Sequence, residues 1–253
     1  MPTRLFVNVL AVGALALGSA SAAQAGQTNV AVAANFAEAA TEIAEAFEQK
    51  TGHEAILSFG STGQLYTQIT QDAPFEVLLA ADDEHPRKAE DEGLAVPGSR
   101  FTYAIGKIVL WSKAPGFVQG ERTLRSGDFT KIAIASPTAA PYGAAAVQAM
   151  RALGVYDRLE PKIVQGNNIA QAYQFVETAN AELGFVARSQ VVSANAGSRW
   201  EVPADLYEPI RQDALLLQKG ADSQAAKAFI EFLRGPEAAP IIAKYGYGTA
   251  ASS

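Results

Sequence analysis

The sequence predicts an α/β fold of two lobes, each a mostly parallel sheet flanked by helices, joined by two crossover strands. Three observations carry this. Short apolar runs alternate with longer amphipathic runs from residue 28 onward, the pattern of strand–helix units that build parallel sheets. The alternation restarts after a long strand-like run, Tyr103–Ser112, and a second extended run, Pro209–Leu217, leads into two closing helices. No low-complexity linker separates the halves, so strand-like segments are left to join them. This assigns 26–103 plus 209–253 to lobe 1 and 104–208 to lobe 2.

Taken in order, Thr28–Ala34 reads as a buried strand. Asn35 then caps a helix to Lys50, with Glu38 as its capping partner and Phe36, Ala39, Ala40, Ile43, Ala46 and Phe47 as the apolar stripe. Gly52 supplies the left-handed turn that ends it. His53–Leu57 alternates as a strand, and a Ser58–Gly63 loop passes it to a helix over Gln64–Gln71. A strand at Glu76–Ala81 feeds a helix from Asp82 to Glu92, stopped by Gly93. Beyond the 103–112 run, Lys131–Ala135 is a strand, 136–143 a loop, and Ala144–Leu153 a helix ended by Gly154. Lys162–Gln165 is a short strand, after which Gly166-Asn167-Asn168 opens a helix from Ile169 to about Ala181. Leu183–Val192 is a further strand and 200–207 is irregular. Ser223–Arg234 and Glu237–Lys244 are helices separated by Gly235-Pro236.

Residues 1–25 fall outside this fold. Arg4, the apolar run Leu5–Leu17 and the small-x-small triplet Ala23-Gln24-Ala25 make a secretory signal peptide cleaved after Ala25. Its removal leaves the mature chain one unit more negative than the formal −6. The expected address is a bacterial periplasm. The chain has no cysteine, which excludes disulfides, thiolate metal sites and a cysteine nucleophile. It has no Lys/Arg run, so nucleic acid is not an expected partner. No later stretch holds 18 apolar residues in a row, the length a membrane span requires.

Four strand-to-helix loops share one chemistry: Ala33-Ala34-Asn35, Gly60-Ser61-Thr62-Gly63, Ala140-Pro141-Tyr142-Gly143 and Asn167-Asn168-Ile169. Each offers backbone N–H groups, hydroxyls or an amide, and none holds Arg, Lys, His or a carboxylate. A helix start exposes unpaired N–H groups at the positive end of the helix dipole, which suits an anion. One such loop is better read as a simple cap. Four of them, two per lobe and at equivalent places, favour a neutral, donor-rich cage for a small anion at the carboxyl ends of the strands. Two rival chemistries are weaker. A hydrolase would need a base beside Ser61, and the only histidines are His53, at the far end of its strand, and His85, in an acidic helix start. Gly60-Ser61-Thr62-Gly63 is also not a nucleophile elbow. Tyr245 and Tyr247 look like a phenolate iron pair, but packing is the better reading beside their glycines.

The same stretches allow a comparison with a known family. Ala-Ala-Asn-Phe after the first strand, Ser-Phe-Gly-Ser-Thr-Gly after the second, Ala-Pro-Tyr-Gly in the middle and Leu-Gly-Phe-Val late in the chain strongly resemble the periplasmic molybdate-binding proteins of ABC transporters. Ala80-Ala81-Asp82, Arg100–Lys107 and Arg234–Ala238 extend the match over essentially the whole mature chain. The resemblance implies a two-lobed periplasmic binding protein of type II. Such a protein closes as a monomer on molybdate or tungstate and delivers it to a membrane permease, with no catalysis and no cofactor beyond the ligand. By position, the contacts implied are Ala34, Asn35, Ser61, Thr62, Tyr142 and Ile169, which would hold molybdenum only through its oxygens. Asn35 stands where many members have Ser, and Ala187 where many have a Tyr donor. The Asn35 amide and the Tyr142 phenol are expected to fill those roles. Without a carboxylate acceptor the loops disfavour a protonated anion such as phosphate and leave molybdate, tungstate or sulfate.

Overall fold

The structure, a computed structural model, describes residues 25–194 and 196–248. The predicted signal peptide lies outside the described residues except for Ala25.

The first half begins with β1 (Gln27–Ala33), a short 3-10 turn at Ala34–Phe36, and α1 (Ala37–Thr51). Its stripe Ala39, Ala40, Ile43 and Phe47 is buried, and Gly52 ends it at φ 74°, its N–H donating to the Glu48 carbonyl. Then come β2 (Glu54–Gly60), α2 (Thr62–Thr70), β3 (Val77–Leu79), α3 (Glu84–Asp91) and β4 (Phe101–Gly106). The second half holds β5 (Ile108–Ser112), α4 (Glu121–Ser126), β6 (Ile132–Ala135), α5 (Pro141–Ala152), α6 (Tyr156–Leu159) and β7 (Ile163–Gly166). It continues with α7 (Ile169–Glu177), β8 (Leu183–Ala187), α8 (Arg188–Val191) and β9 (Ser198–Glu201). The last described elements are β10 (Ile210–Leu216), α9 (Gln224–Arg234) and α10 (Ala238–Lys244). Ser223 caps α9 by accepting from the Ala226 N–H.

Two five-stranded sheets result, ordered β2-β1-β3-β10-β4 and β7-β6-β8-β5-β9. In each, four strands share a direction and one, β10 or β5, runs against its neighbours. In both sheets the reversed strand is the one that arrives from the other sheet. The first sheet has a core on each face. Val30 and Val32 pack with Phe36, Phe47 and Phe229, while Ala31 between them packs with Leu65, Leu78 and Leu215, the strand period of two read out in space. A third core fills the second half and reaches Ala33, Ala34 and Ala81 at the strand ends of the first sheet.

Several expectations shift. The single strand expected over 103–112 is two strands in different sheets, and the chain changes sheet at Lys107, beyond the boundary placed after Tyr103. Both pieces are largely apolar, β5 buried throughout, so the local pattern carries no mark of the change. The strand expected to reach Val192 stops at Ala187, where its N–H donates to the Gln190 side chain at 2.9 Å and the chain turns into α8. The helix expected to run to Ala181 ends at Glu177, with Ala179 at φ 57°. The helix expected from Ala144 begins at Pro141, whose missing N–H and fixed φ suit a first helical position. Strand β9 occupies part of the region read as irregular, and α4 and α6 were not expected.

Candidate functional site

Register brings the four loops together in pairs. Ala33 lies beside Gly60 in the β1–β2 ladder, and Ala135 beside Gly166 in the β6–β7 ladder. The loops after β1 and β2 therefore leave one sheet at one level, and those after β6 and β7 do the same in the other. The two pairs meet around a small pocket with ≈ 10 Å³ of free volume, about room for one water. Ala34, Asn35, Ser61, Thr62, Tyr142 and Ile169 all line it, and none is more than 6 % exposed. Among the described residues no charged side chain lines it; Asp82, Asp83, Glu84, Glu208 and Arg211 line a separate groove beside it.

The helix starts have been left unfinished in a revealing way. The turn at Ala34, α2 and α5 carry no side-chain cap, and only α7 has one, Asn168 accepting from the Gln171 N–H at 3.0 Å. The opening N–H groups of a helix have no acceptor within it. Ser61 holds the N-cap position of α2 but does not cap it, and its buried Oγ has no hydrogen-bond partner among the described residues. Simple capping therefore does not explain Ser61. A buried hydroxyl without a partner costs about 1–3 kcal/mol, so the site is strained toward whatever supplies one.

Thr62 and Asn35 differ from expectation. The Thr62 Oγ1 accepts the Ala81 N–H at 2.9 Å, so that hydroxyl ties α2 to the end of β3. Asn35 does not cap α1; Ala33 holds the N-cap position of the turn. The Asn35 amide turns into the protein, donating toward Gln212 Oε1 at 2.7 Å, Tyr247 Oη at 3.1 Å and Tyr142 Oη at 3.3 Å. It is not left over as the donor expected of it. Three acceptors inside the fold outbid a local cap, as tertiary context often does.

Tyr142 gains from this. Its Oη accepts from Asn35 Nδ2 and, at 3.4 Å, from Gln212 Nε2. With amide donors on its lone pairs, the phenol has its proton left to give. Burial first, then the neighbouring Tyr247, hold its pKa well above the ordinary tyrosine value, so it remains a neutral donor. Gly106 makes room for it: a Cβ there would collide with the Tyr142 hydroxyl. Ala187 is fully buried in β8 and does not line the cavity.

The halves also touch directly. The Gly63 N–H donates to the Ala139 carbonyl at 3.0 Å, and Ser189 Oγ to the Asn35 carbonyl at 2.8 Å. Gln212, Ser189 and Tyr247 belong to this neighbourhood and were missed. A buried polar residue within an apolar strand, Gln212 at 0 % exposure, is a signal that could have flagged one of them. The supposed phenolate pair has separate partners, Tyr245 donating to Glu42 and Tyr247 to the Asn35 carbonyl. His53 Nδ1 accepts the Gly26 N–H, His85 pairs with Asp82, and neither lines the cavity.

The chain is similar to known proteins over most of its length. Residues 28–248 match the family described as bacterial extracellular solute-binding protein. The chain is 56 % identical to the molybdate-binding protein ModA of Rhodobacter capsulatus, over 93 % of this chain and 94 % of that one. It is 55 % identical to the molybdate-binding protein ModA of Azotobacter vinelandii, over 95 % and 96 %. The structure superimposes on the periplasmic molybdate-binding protein of Azotobacter vinelandii with a TM-score of 0.85 at 41 % identity, covering 88 % of this chain and 99 % of that one. A sulfate-binding protein of Mycobacterium tuberculosis shares the fold alone, with a TM-score of 0.74 at 11 % identity over 90 % of this chain and 88 % of that one.

Proposed function

The chain belongs to the bacterial extracellular solute-binding proteins, and from that premise we propose that it binds molybdate in the periplasm and delivers it to an ABC-type membrane permease. The observation that carries this reading is the orphaned Ser61 hydroxyl in a buried cavity with no charged lining. A fully deprotonated tetrahedral dianion supplies acceptors in every direction, which is what a ring of N–H and O–H donors lacks. Hydrogen bonds to an ionised acceptor are roughly twice as strong as neutral ones, so a cage of dipoles holds the charge without a Lys or Arg.

In this reading Ser61 and Tyr142 donate through their hydroxyls. Ala34, Asn35, Thr62 and Ile169 donate through backbone N–H groups, and molybdenum is held only through its oxygens. Tungstate, alike in charge and close in size, is the second expected ligand. Lobe 1 is residues 26–106 with 209–253, and lobe 2 is 108–208, the chain passing between them at Lys107. The ligand pulls the lobes together because it binds the closed arrangement better than the open one. The protein acts as a monomer, carries no cofactor and performs no chemistry on its ligand.

Calorimetric titration of the mature protein with molybdate, tungstate, sulfate and phosphate tests this. Molybdate and tungstate should bind tightly and sulfate far more weakly. The affinity should change only modestly between low and moderate salt, unlike a site that releases many counterions. Tighter sulfate than molybdate binding would transfer the site to another oxyanion, and no heat with any of the four would overturn the reading.

A further inference from the structure

Asn35 is the node of a second set of contacts outside the cavity. Its main-chain carbonyl accepts two hydrogen bonds, from Tyr247 Oη at 2.6 Å and from Ser189 Oγ at 2.8 Å. The two hydroxyls lie 3.1 Å apart, and the Asn35 amide donates back to Tyr247 Oη at 3.1 Å. Neither Tyr247 nor Ser189 lines the cavity, so neither contact belongs to the proposed ligand shell.

These residues come from three separate places. Asn35 follows β1, Ser189 lies in α8 of the second half, and Tyr247 lies near the end of the described chain. The terminal segment is pinned to the edge of β4: the Ile105 N–H donates to the Gly248 carbonyl at 2.8 Å, and the Gly248 N–H returns to the Ile105 carbonyl at 2.9 Å. Ile105 is two residues before Lys107, where the chain changes sheet. On its other side, Gly246 packs so closely on Arg188 that an added Cβ would sit 3.0 Å from Arg188 Nε. The terminal segment is thus a strap between β4 of one half and α8 of the other, laid beside the crossover.

We propose that Tyr247 is a positioning residue for anion binding, a latch through which the C-terminal strap fixes the Asn35 turn and docks Ser189 when the lobes close. The inference rests on the molybdate reading above. When the lobes part, Tyr247 stays with β4 and Asn35 while Ser189 leaves with α8. The junction of three residues therefore exists only in the closed arrangement, and its loss speeds opening more than it slows capture. Differences of this kind between related complexes fall mostly on dissociation.

Stopped-flow binding of molybdate to the wild type, Tyr247→Phe and Ser189→Ala tests this. Tyr247→Phe keeps the ring, which packs edge-on against Phe36 at 5.2 Å, and removes only the hydroxyl; Ser189→Ala attacks the same junction from the other lobe. Each should raise the dissociation rate about three- to tenfold, the worth of one hydrogen bond, with the association rate changed less than about twofold. The double variant should fall short of the product of the two, since both residues serve one junction. Wild-type dissociation rates in both single variants would overturn the latch while leaving the molybdate reading intact. A wild-type protein that does not bind molybdate would overturn both.

Discussion

The two halves share one strand order and differ at the helix starts that face the cavity. In the first half, the turn at Ala34 and helix α2 begin without caps, and Ser61 keeps an unpartnered hydroxyl. In the second half, α5 begins with a proline that has no N–H to satisfy, and Asn168 caps α7. One half is therefore incomplete without a ligand and the other is nearly complete by itself. Topology alone does not set the division of labour. We read the first lobe as the one that captures the anion and the second as the one that closes over it, contributing the Tyr142 proton and one helix start.

The sharpest way to break that contrast is Ser61→Ala. It should weaken molybdate binding about ten- to a hundredfold, the loss of a hydrogen bond to a charged group. The ligand-free protein should unfold at the same or a higher denaturant concentration, because an unsatisfied hydroxyl has been removed. Calorimetry and urea melts measure the two halves of this claim, and a clear loss of ligand-free stability would show that Ser61 has a structural partner.

Next in size is Gly106→Ala. The new methyl meets the Tyr142 phenol and the Gln212 amide, so overpacking should cost about 1–3 kcal/mol of stability and displace the second lobe's donor. Binding that survived at wild-type affinity would remove Tyr142 from the cage.

Asn168→Ala probes the finished half. It should cost about 1 kcal/mol of stability, the usual price of an N-cap, yet leave molybdate affinity within about threefold. A larger loss of affinity than of stability would place Asn168 on the anion and weaken the contrast.

The smallest effect is with pH, and it should have opposite signs in the two halves. In the first, the hydrogen bond to Asp82 raises the His85 pKa against the effect of burial. A raised folded value means His85 supports the fold fully below the ordinary histidine pKa, and that support fades as pH rises through the raised one. In the second, burial would raise the Glu182 pKa, but the Thr130 and Lys131 N–H groups, each donating at 2.9 Å, outweigh it and the net shift is downward. Its support is present above the ordinary glutamate pKa and fades as pH falls through the lowered one. Urea melts of His85→Gln and Glu182→Gln at several pH values check both signs: the His85 difference should shrink toward alkaline pH, the Glu182 difference toward acid.

What was legible in the sequence was local. Loop composition around Ser61 and Asn168, the left-handed Gly52 and the stripe from Ala39 to Phe47 all depend on neighbours a few residues away. What was hidden depends on distant partners. The Asn35 amide looks like a cap until Gln212 and Tyr247, 177 and 212 residues away, draw it inward. Tyr247 reads as packing until the Asn35 carbonyl and Ser189 appear beside it. The change of sheet at Lys107 is invisible because β4 and β5 are both largely apolar extended runs, and local pattern does not say which sheet a strand joins.

The placement of β10 has a consequence for how the chain is assembled. It lies between β3 and β4, inside the first sheet, although it is the last strand to be made. The second sheet draws all its strands from one uninterrupted stretch, residues 108–201, and can be completed as soon as that stretch is free. The first sheet stands open in its middle until residues 210–216 arrive, and contacts between such distant segments form slowly. A chain threaded across a membrane from its N-terminus would thus complete its second lobe first and hold the β10-facing edges of β3 and β4 uncovered in the meantime. Those edges, bare strands awaiting a late partner, are where a folding helper or an aggregate would find this protein.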